Sequence, residues 1–365
     1  MRSPPALPSN GPPERGSVVR IAIVTDAWLP QTNGVVRTLE RTAEQLRALG
    51  HEVLLIEPGL FRTFPCPTYP EIRLAWLPRR RLGRMLSKFA ADAIHIATEG
   101  TLGSAARAWC RQRGLPFTTS YHTQFPEYVR ARLPIPLALS YAYLRNFHGA
   151  AARTMVATAT MQEQLEARGF RNVARWTRGV DTQLFRPADK HWLQLVRPVA
   201  LYSGRVAVEK NIEAFLEFDW PGDKVIVGDG PARVALEAKY PRARFVGFRF
   251  GDELARYVAA ADVFVFPSRT DTFGLVLLEA MACGVPIAAY PVTGPIDVVE
   301  QGITGVLKDD LREAALAALH LDPRDCRSYA LKHTWEAATD QFLSNLAAAP
   351  NAVLELGDAS KLTAR

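Results

Sequence analysis

A short, β-branched apolar run followed by a turn and a helical pattern recurs along this chain, and the series starts afresh near the middle. Ile21 to Thr25 (IAIVT) leads through a Pro/Asn/Gly turn into helical spacing from about Val35 to Leu49. Gly50 closes that helix before the next run at Val53–Ile56. Further strands are predicted near Ile72–Leu77, Ala93–Thr98, Pro116–Ser120 and Thr154–Ala157, with helices near Gly103–Gln112 and Met161–Arg168. Runs that are apolar throughout are buried on both faces. That is the pattern of a parallel sheet covered by helices on either side.

After a polar, Pro-containing stretch the same alternation begins again at Pro198–Ser203 (PVALYS) and continues at Lys224–Val227, Arg244–Val246, Val263–Phe266 and Pro286–Ala289. Helices are predicted at 210–217, 231–239, 251–259 and 274–283. A single core rarely grows to 365 residues, so the repeat marks two α/β domains. The expected division is a Pro/Gly/Ser-rich leader at 1–18, an N-terminal domain at 19–180 and a C-terminal domain at 181–330. A helix at 331–348 is expected to return toward the N-terminal domain, ahead of a loose tail at 349–365. In doubly wound sheets, ligands bind where strands deliver their carboxyl ends and helices present their N-termini.

The net charge of +7 conceals an asymmetry. Through Arg178 there are 24 basic and 12 acidic residues, whereas the remainder carries 20 basic and 25 acidic. A basic first half calls for an anionic partner, and charge alone does not choose between nucleic acid and anionic lipid. The absence of a recognised nucleic-acid module beside the charge disfavours nucleic acid. Cys66, Cys110, Cys283 and Cys326 are scattered without metal-ligand spacing, which fits a reducing compartment. The leader lacks the apolar stretch of a signal peptide. The apolar segment Leu133–Leu144 contains two prolines and is too short to cross a bilayer.

Four segments carry candidate chemistry. Gly34, ahead of the first helix, either opens a phosphate-receiving helix N-terminus or is a plain turn. Arg205 and Lys210 follow the Pro198–Ser203 strand; two cations converging there would neutralise a diphosphate, solvated surface charges being the plain alternative. Gly228, in Gly-Asp-Gly-Pro, either lines a nucleotide or turns the chain. Asp271 precedes a predicted helix N-terminus and suits sugar hydroxyls, while Glu279 sits inside an otherwise apolar helix and requires a partner, a ribose diol or an internal ion pair.

From Ile21 to about Leu346 the sequence resembles retaining glycosyltransferases of family 4. The segments that carry the resemblance are Gly204-Arg205 through Lys210-Asn211 and Asp271 through Glu279 with the following Ala-Met-Ala-Cys-Gly-Val-Pro. The resemblance implies a GT-B architecture, two Rossmann-like doubly wound α/β domains facing across a cleft. It implies that Arg205 and Lys210 contact the donor diphosphate, Glu279 the ribose and Asp271 the transferred hexose. Main-chain groups of Phe273, Gly274 and Leu275 would hold sugar and phosphate, and the turn at Gly34 would approach the diphosphate. Arg178-Gly179-Val180-Asp181 matches the family's interdomain turn. The family most often has Glu where this chain has Asp271, a shorter reach for the same charge.

On the acceptor side stand His122, at the end of the Pro116–Ser120 strand, Glu99 at another strand end, and Tyr128. His122 is either a structural strand-end histidine or, as its resemblance to lipid and polyprenol-type sugar transferases implies, a functional group. Arg79, Arg80, Arg81, Arg84 and Lys88 lie among Trp76, Leu77, Met85, Leu86 and Phe89, as in a segment resting on an anionic membrane, or else on a solvated basic face. No Asp-x-Asp pair occurs, so no metal is implied.

The expected enzyme is a retaining, metal-independent hexosyltransferase without cofactor. Its donor is a GDP- or UDP-sugar, with a lean to GDP-mannose, and its acceptor a lipid such as diacylglycerol or a glycolipid. The expected location is the cytoplasm, peripheral on the inner face of the plasma membrane. A GT-B nucleotide-sugar epimerase and a non-catalytic nucleotide-sugar or membrane-binding protein are the alternatives.

Overall fold

The computed structural model describes residues 18–31, 33–66, 69–122, 126, 130 and 136–348. Residues 1–17 of the expected leader, the expected tail and Tyr128 lie outside the described residues. Two compact units emerge, one holding the described residues up to Thr177 together with those from Ala338, the other Arg178–Ala337.

In the first unit the chain forms β1 (Arg20–Val24), α1 (Gly34–Ala48), β2 (Glu52–Ile56), β3 (Thr63–Cys66), β4 (Tyr69–Ala75), α2 (Arg79–Phe89), β5 (Ala93–Ile96), α3 (Thr101–Arg113), β6 (Thr118–Tyr121), α4 (Leu137–His148), β7 (Arg153–Val156), α5 (Ala159–Ala167) and β8 (Val173–Arg175). The main sheet runs β2-β1-β5-β6-β7-β8, parallel throughout. Helix α1 forms because Asn33 accepts from the amides of Val35 and Val36, each at 3.0 Å, and because Val36, Leu39, Ala43 and Leu46 fall on one buried face. One face of the sheet packs Ile21, Ile23, Met155 and Trp176 against Phe342 and Leu346 from the C-terminal segment. Thr177 N donates to Gln341 Oε1 at 2.6 Å and Asn345 Nδ2 to Arg175 O at 2.7 Å, so polar bonds fix what the apolar contact begins.

The second unit forms β9 (Ala200–Ser203), α6 (Ile212–Glu217), β10 (Lys224–Val227), α7 (Arg233–Lys239), β11 (Arg244–Gly247), α8 (Gly251–Ala259), β12 (Val263–Phe266), α9 (Leu275–Ala282), β13 (Ile287–Ala289), α10 (Pro295–Val298), β14 (Gly305–Leu307), α11 (Leu311–Ala318) and α12 (Pro323–Ala330). The last helix, α13 (Trp335–Asn345), runs from this unit into the first. Its sheet, β11-β10-β9-β12-β13-β14, is again parallel throughout. All four residues of β12 are buried, as an interior parallel strand requires.

One expectation needs correction. The strand expected near Ile72–Leu77 does not continue the parallel sheet. As β4 it pairs antiparallel with β3 in a separate two-stranded ribbon. The basic segment that follows is a helix, α2, in which only Leu82, Gly83 and Leu86 are buried; so sparse an apolar stripe is masked by its charges. The three-residue strands β8 and β14 and the helix α11 were not anticipated either.

Candidate active site

Each sheet has a switch point, a pair of adjacent strands whose connections depart in opposite directions. In the second unit these strands are β9 and β12, and the loops leaving their carboxyl ends border a crevice where this fold class binds ligands. After β9 the chain passes Gly204 and the exposed Arg205, then makes a 3-10 turn at Val208–Lys210. Asn211 adopts φ +52° and donates from Nδ2 to Pro267 O at 3.1 Å, tying this loop to the one after β12. Across that tie, Lys210 Nζ lies 2.6 Å from Asp271 Oδ1, with the two side chains 23% and 20% exposed. The other Asp271 oxygen, Oδ2, is buried and has no hydrogen-bond partner among the described residues. The Tyr202 hydroxyl donates to Arg205 O at 3.0 Å. Burial pushes that phenol well above its usual range, and the charges of Asp271 and Glu209 add to the effect.

Helix α9 opens directly after Asp271. Phe273 is buried, and Gly274 takes φ +84° as the cap residue, a conformation that costs other residues strain. Gly274 has no side chain with which to cap this end, and Leu277 N donates to Gly274 O at 2.9 Å. Glu279, in the second turn, is only 5% exposed, amid Leu278, Ala280 and Met281. The Cys283 thiol is pushed up to about 12 by burial first and the Glu279 charge second. Gly228 closes β10 at φ +145°; a Cβ there would meet Gly204 O at 1.9 Å, so two loop backbones touch where any side chain would separate them. The second unit thus joins Lys210 to Asp271 and carries Arg205, Phe273, Gly274 and Leu275 on the same two loops. Glu279 stands a turn deeper and Gly228 at the neighbouring strand end.

In the first unit the switch point lies between β1 and β5. Gly34 is the first residue of α1, but the amides of Val35 and Val36 are already bonded to Asn33. Asn33 thus engages two of the first amides of this helix. Sequence reasoning passed over Asp26, which follows β1 and is 5% exposed. Its carboxylate accepts from Leu102 N at 2.8 Å, Gly103 N at 3.2 Å and Thr98 Oγ1 at 2.9 Å, tying the β1 loop to the start of α3. Burial raises its pKa in spite of these bonds. His122 ends β6, half-buried, with its ring 5.8 Å from that of Trp176. Glu99 follows β5, and its Oε1 lies 3.1 Å from His148 Nε2, a second group the sequence did not single out. Arg79, Arg80, Arg81, Arg84 and Lys88 are all exposed on α2, and Arg81 stacks over Phe61 at 5.4 Å. Trp76 and Leu77, just before the helix, are 60% and 78% exposed.

Known proteins give this geometry its context. Residues 32–184 match the family model described as Glycosyltransferase Family 4, and residues 197–321 the model described as Glycosyl transferases group 1. A GDP-mannose-dependent alpha-mannosyltransferase of Mycobacterium tuberculosis is 32% identical over 362 residues, covering 90% of this chain and 96% of that protein. The chain belongs to glycosyltransferase family 4. An alpha-monoglucosyldiacylglycerol synthase of Acholeplasma laidlawii is 26% identical, covering 83% of this chain and 88% of that protein. Among solved structures, sucrose-phosphate synthase from Thermosynechococcus elongatus superimposes with a TM-score of 0.68 at 23% identity, over 89% of this chain and 97% of that one. This family 4 member therefore shares the two-domain glycosyltransferase fold, and glycosyl transfer is its activity. Among the described residues, no helix is long and apolar enough to cross a membrane.

Proposed function

We propose that this enzyme transfers a hexose from a nucleoside diphosphate sugar, GDP-mannose or a UDP-hexose, to a hydroxyl of a membrane lipid, with retention of anomeric configuration and without a metal. The observation that carries the reading is the Lys210–Asp271 contact at the β9/β12 switch point, beside the N-terminus of α9. A cation held by a carboxylate is pre-oriented, so it meets the charge that grows on a departing diphosphate without reorganisation. Arg205 adds a second cation, and the first amides of α9 add fixed dipoles. On this reading Asp271, through Oδ2, meets the hexose hydroxyls and Glu279 the ribose. The departing phosphate oxygen takes the acceptor proton as the new bond forms on the same face, so no enzymic nucleophile is required.

GDP-mannose leads because an extensively similar relative is named as dependent on it. A lipid acceptor is favoured by the diacylglycerol named for another relative and by α2, whose exposed cations stand beside Trp76 and Leu77. On this reading the enzyme docks peripherally on the cytoplasmic membrane face through Arg79, Arg80, Arg81, Arg84 and Lys88.

The test is to incubate purified protein with radiolabelled GDP-mannose, UDP-glucose and UDP-glucuronate, with vesicles containing diacylglycerol or glycolipid, with and without EDTA. An α-linked product in the lipid phase, unaffected by EDTA, is expected. Sugar interconversion without transfer, or binding without turnover, would overturn the assignment.

A further inference from the structure

At the first unit's switch point two carboxylates stand close in sequence to strand ends, and they are held in opposite ways. Asp26 is buried, with both oxygens bonded to α3 and its flanking threonines. Glu99 keeps 26% of its side chain exposed, and among the described residues only its Oε1 is engaged, by His148. His148 itself is fully buried, packed edge-on against Phe147 at 5.1 Å and near Tyr121 and Phe170, each at 6.1 Å. Its other ring nitrogen, Nδ1, lies 2.9 Å from Thr119 Oγ1, which lies 3.1 Å from Thr154 Oγ1.

The donor logic of this row runs one way. An ionised Glu99 only accepts, so Nε2 carries a hydrogen toward it. In a neutral ring Nδ1 then accepts the Thr119 hydroxyl hydrogen, and Thr119 Oγ1 in turn accepts from Thr154. The backbone carbonyl of Glu99 is braced as well, accepting from Tyr143 Oη and Ser104 Oγ, each at 3.4 Å. Three residues, His148 from α4, Thr119 from β6 and Thr154 from β7, thus stand in a row behind one oxygen of a carboxylate that water could have solvated at no structural cost. Glu99 itself follows β5 at the carboxyl edge of the sheet, where this fold class receives ligands.

We infer that His148 is a positioning residue that aims the Glu99 carboxylate at the hydroxyl group of the acceptor. The inference rests on the proposed transfer to an acceptor hydroxyl. Glu99 accepts the acceptor O–H through Oε2 and orients it; His148, with Thr119 and Thr154 behind it, keeps Glu99 from turning away.

Two measurements test this. In the wild-type protein, nitrogen-15 NMR of His148 should find Nε2 protonated; a bare Nε2 would overturn the inference without any variant. In kinetics, His148→Gln keeps a donor near the Nε2 position, whereas His148→Asn offers one only near Nδ1. His148→Asn and Glu99→Gln are each expected to raise the acceptor KM about 10-fold or more, the loss of one charge-assisted bond. The KM for the nucleotide sugar should stay within about 2-fold, and His148→Gln should lie near wild type in both. The double variant Glu99→Gln/His148→Asn should be no worse than Glu99→Gln alone, since His148 acts through Glu99. Equal behaviour of the Gln and Asn variants, or additive losses in the double variant, would refute the positioning role. A wild-type enzyme that binds nucleotide sugar yet glycosylates no acceptor would instead overturn the proposed function, with the NMR result still deciding the geometry.

Discussion

Replacing Lys210 with methionine separates what the Lys210–Asp271 pair does for stability from what it does for transfer. The two side chains meet at 2.6 Å and are about four-fifths buried, at 23% and 20% exposure. Removing the ammonium leaves Asp271 with neither oxygen paired, because Oδ2 already lacks a partner among the described residues. Stranding a buried acceptor costs about 1–3 kcal/mol, and the residual solvent access places this one near ~2 kcal/mol. Transfer should suffer more. A pre-oriented donor aimed at developing charge is worth about 2.7–4 kcal/mol, a loss of roughly 100- to 1,000-fold in kcat. The double variant Lys210→Met/Asp271→Asn removes the stranded charge and should regain about half of the lost stability while remaining as inactive as Lys210→Met. Urea melts and initial rates over a range of donor concentrations read the two quantities separately. If Lys210→Met keeps kcat within about 3-fold, or if the double variant regains activity together with stability, the pair is a structural ion pair and the diphosphate assignment fails.

Gly228→Ala should lower stability by about 2 kcal/mol or more and weaken donor binding, because its Cβ would fall 1.9 Å from Gly204 O at φ +145°; an unchanged urea midpoint would contradict the backbone contact. Lys224 lies against Phe218 and donates to Leu216 O at 3.0 Å, and burial lowers its ammonium from 10.5 to about 8. Between those values the unfolded chain holds a proton that the folded one has lost, so stability should rise with pH across this window, and Lys224→Met should flatten the rise. Urea melts from pH 7 to pH 10 check it, and an identical slope in the variant would refute the assignment. Changing Arg79, Arg80 and Arg81 to glutamine should weaken sedimentation with anionic vesicles at low salt by roughly 100-fold, at about 1 kcal/mol per charge; unchanged sedimentation would remove α2 from the membrane contact.

What the chain disclosed before folding depended on how each signal is encoded. The interior strands β1, β10 and β12 announce themselves because burial on both faces keeps them apolar, save for the half-buried Arg20 and Lys224 that open the first two. The β4 segment carries a similar apolar run, but nothing in its residues distinguishes a parallel neighbour from an antiparallel ribbon; only the partner, β3, decides. Arg205, Lys210 and Asp271 stood out as charges beside strand ends, and Glu279 because a carboxylate within an apolar helix is costly unless paired. Asp26 and His148 did not, for the opposite reason. Their partners are backbone amides of α3 in one case and Glu99 and Thr119 in the other, all remote in sequence, so no local spacing records the bonds.

The structure also changes the physics of the proposed membrane contact. Amphipathic segments that rest on bilayers ordinarily bury their apolar stripe in the acyl boundary. Helix α2 has no stripe to offer: Leu82 and Leu86 are 0% and 1% exposed, packed into a core with Ala75, Ile94 and Leu102. Its outward face carries five cations, and among the described residues the exposed large apolar groups just before it are Trp76 and Leu77. In the proposed contact, attraction on this face would be mainly Coulombic, with Trp76 and Leu77 as anchors. Such attraction fades as the screening length falls from about 10 Å at 0.1 M salt to about 3 Å at 1 M. A contact of this kind lets the enzyme leave the surface after each product, which suits a catalyst that must also collect a water-soluble donor.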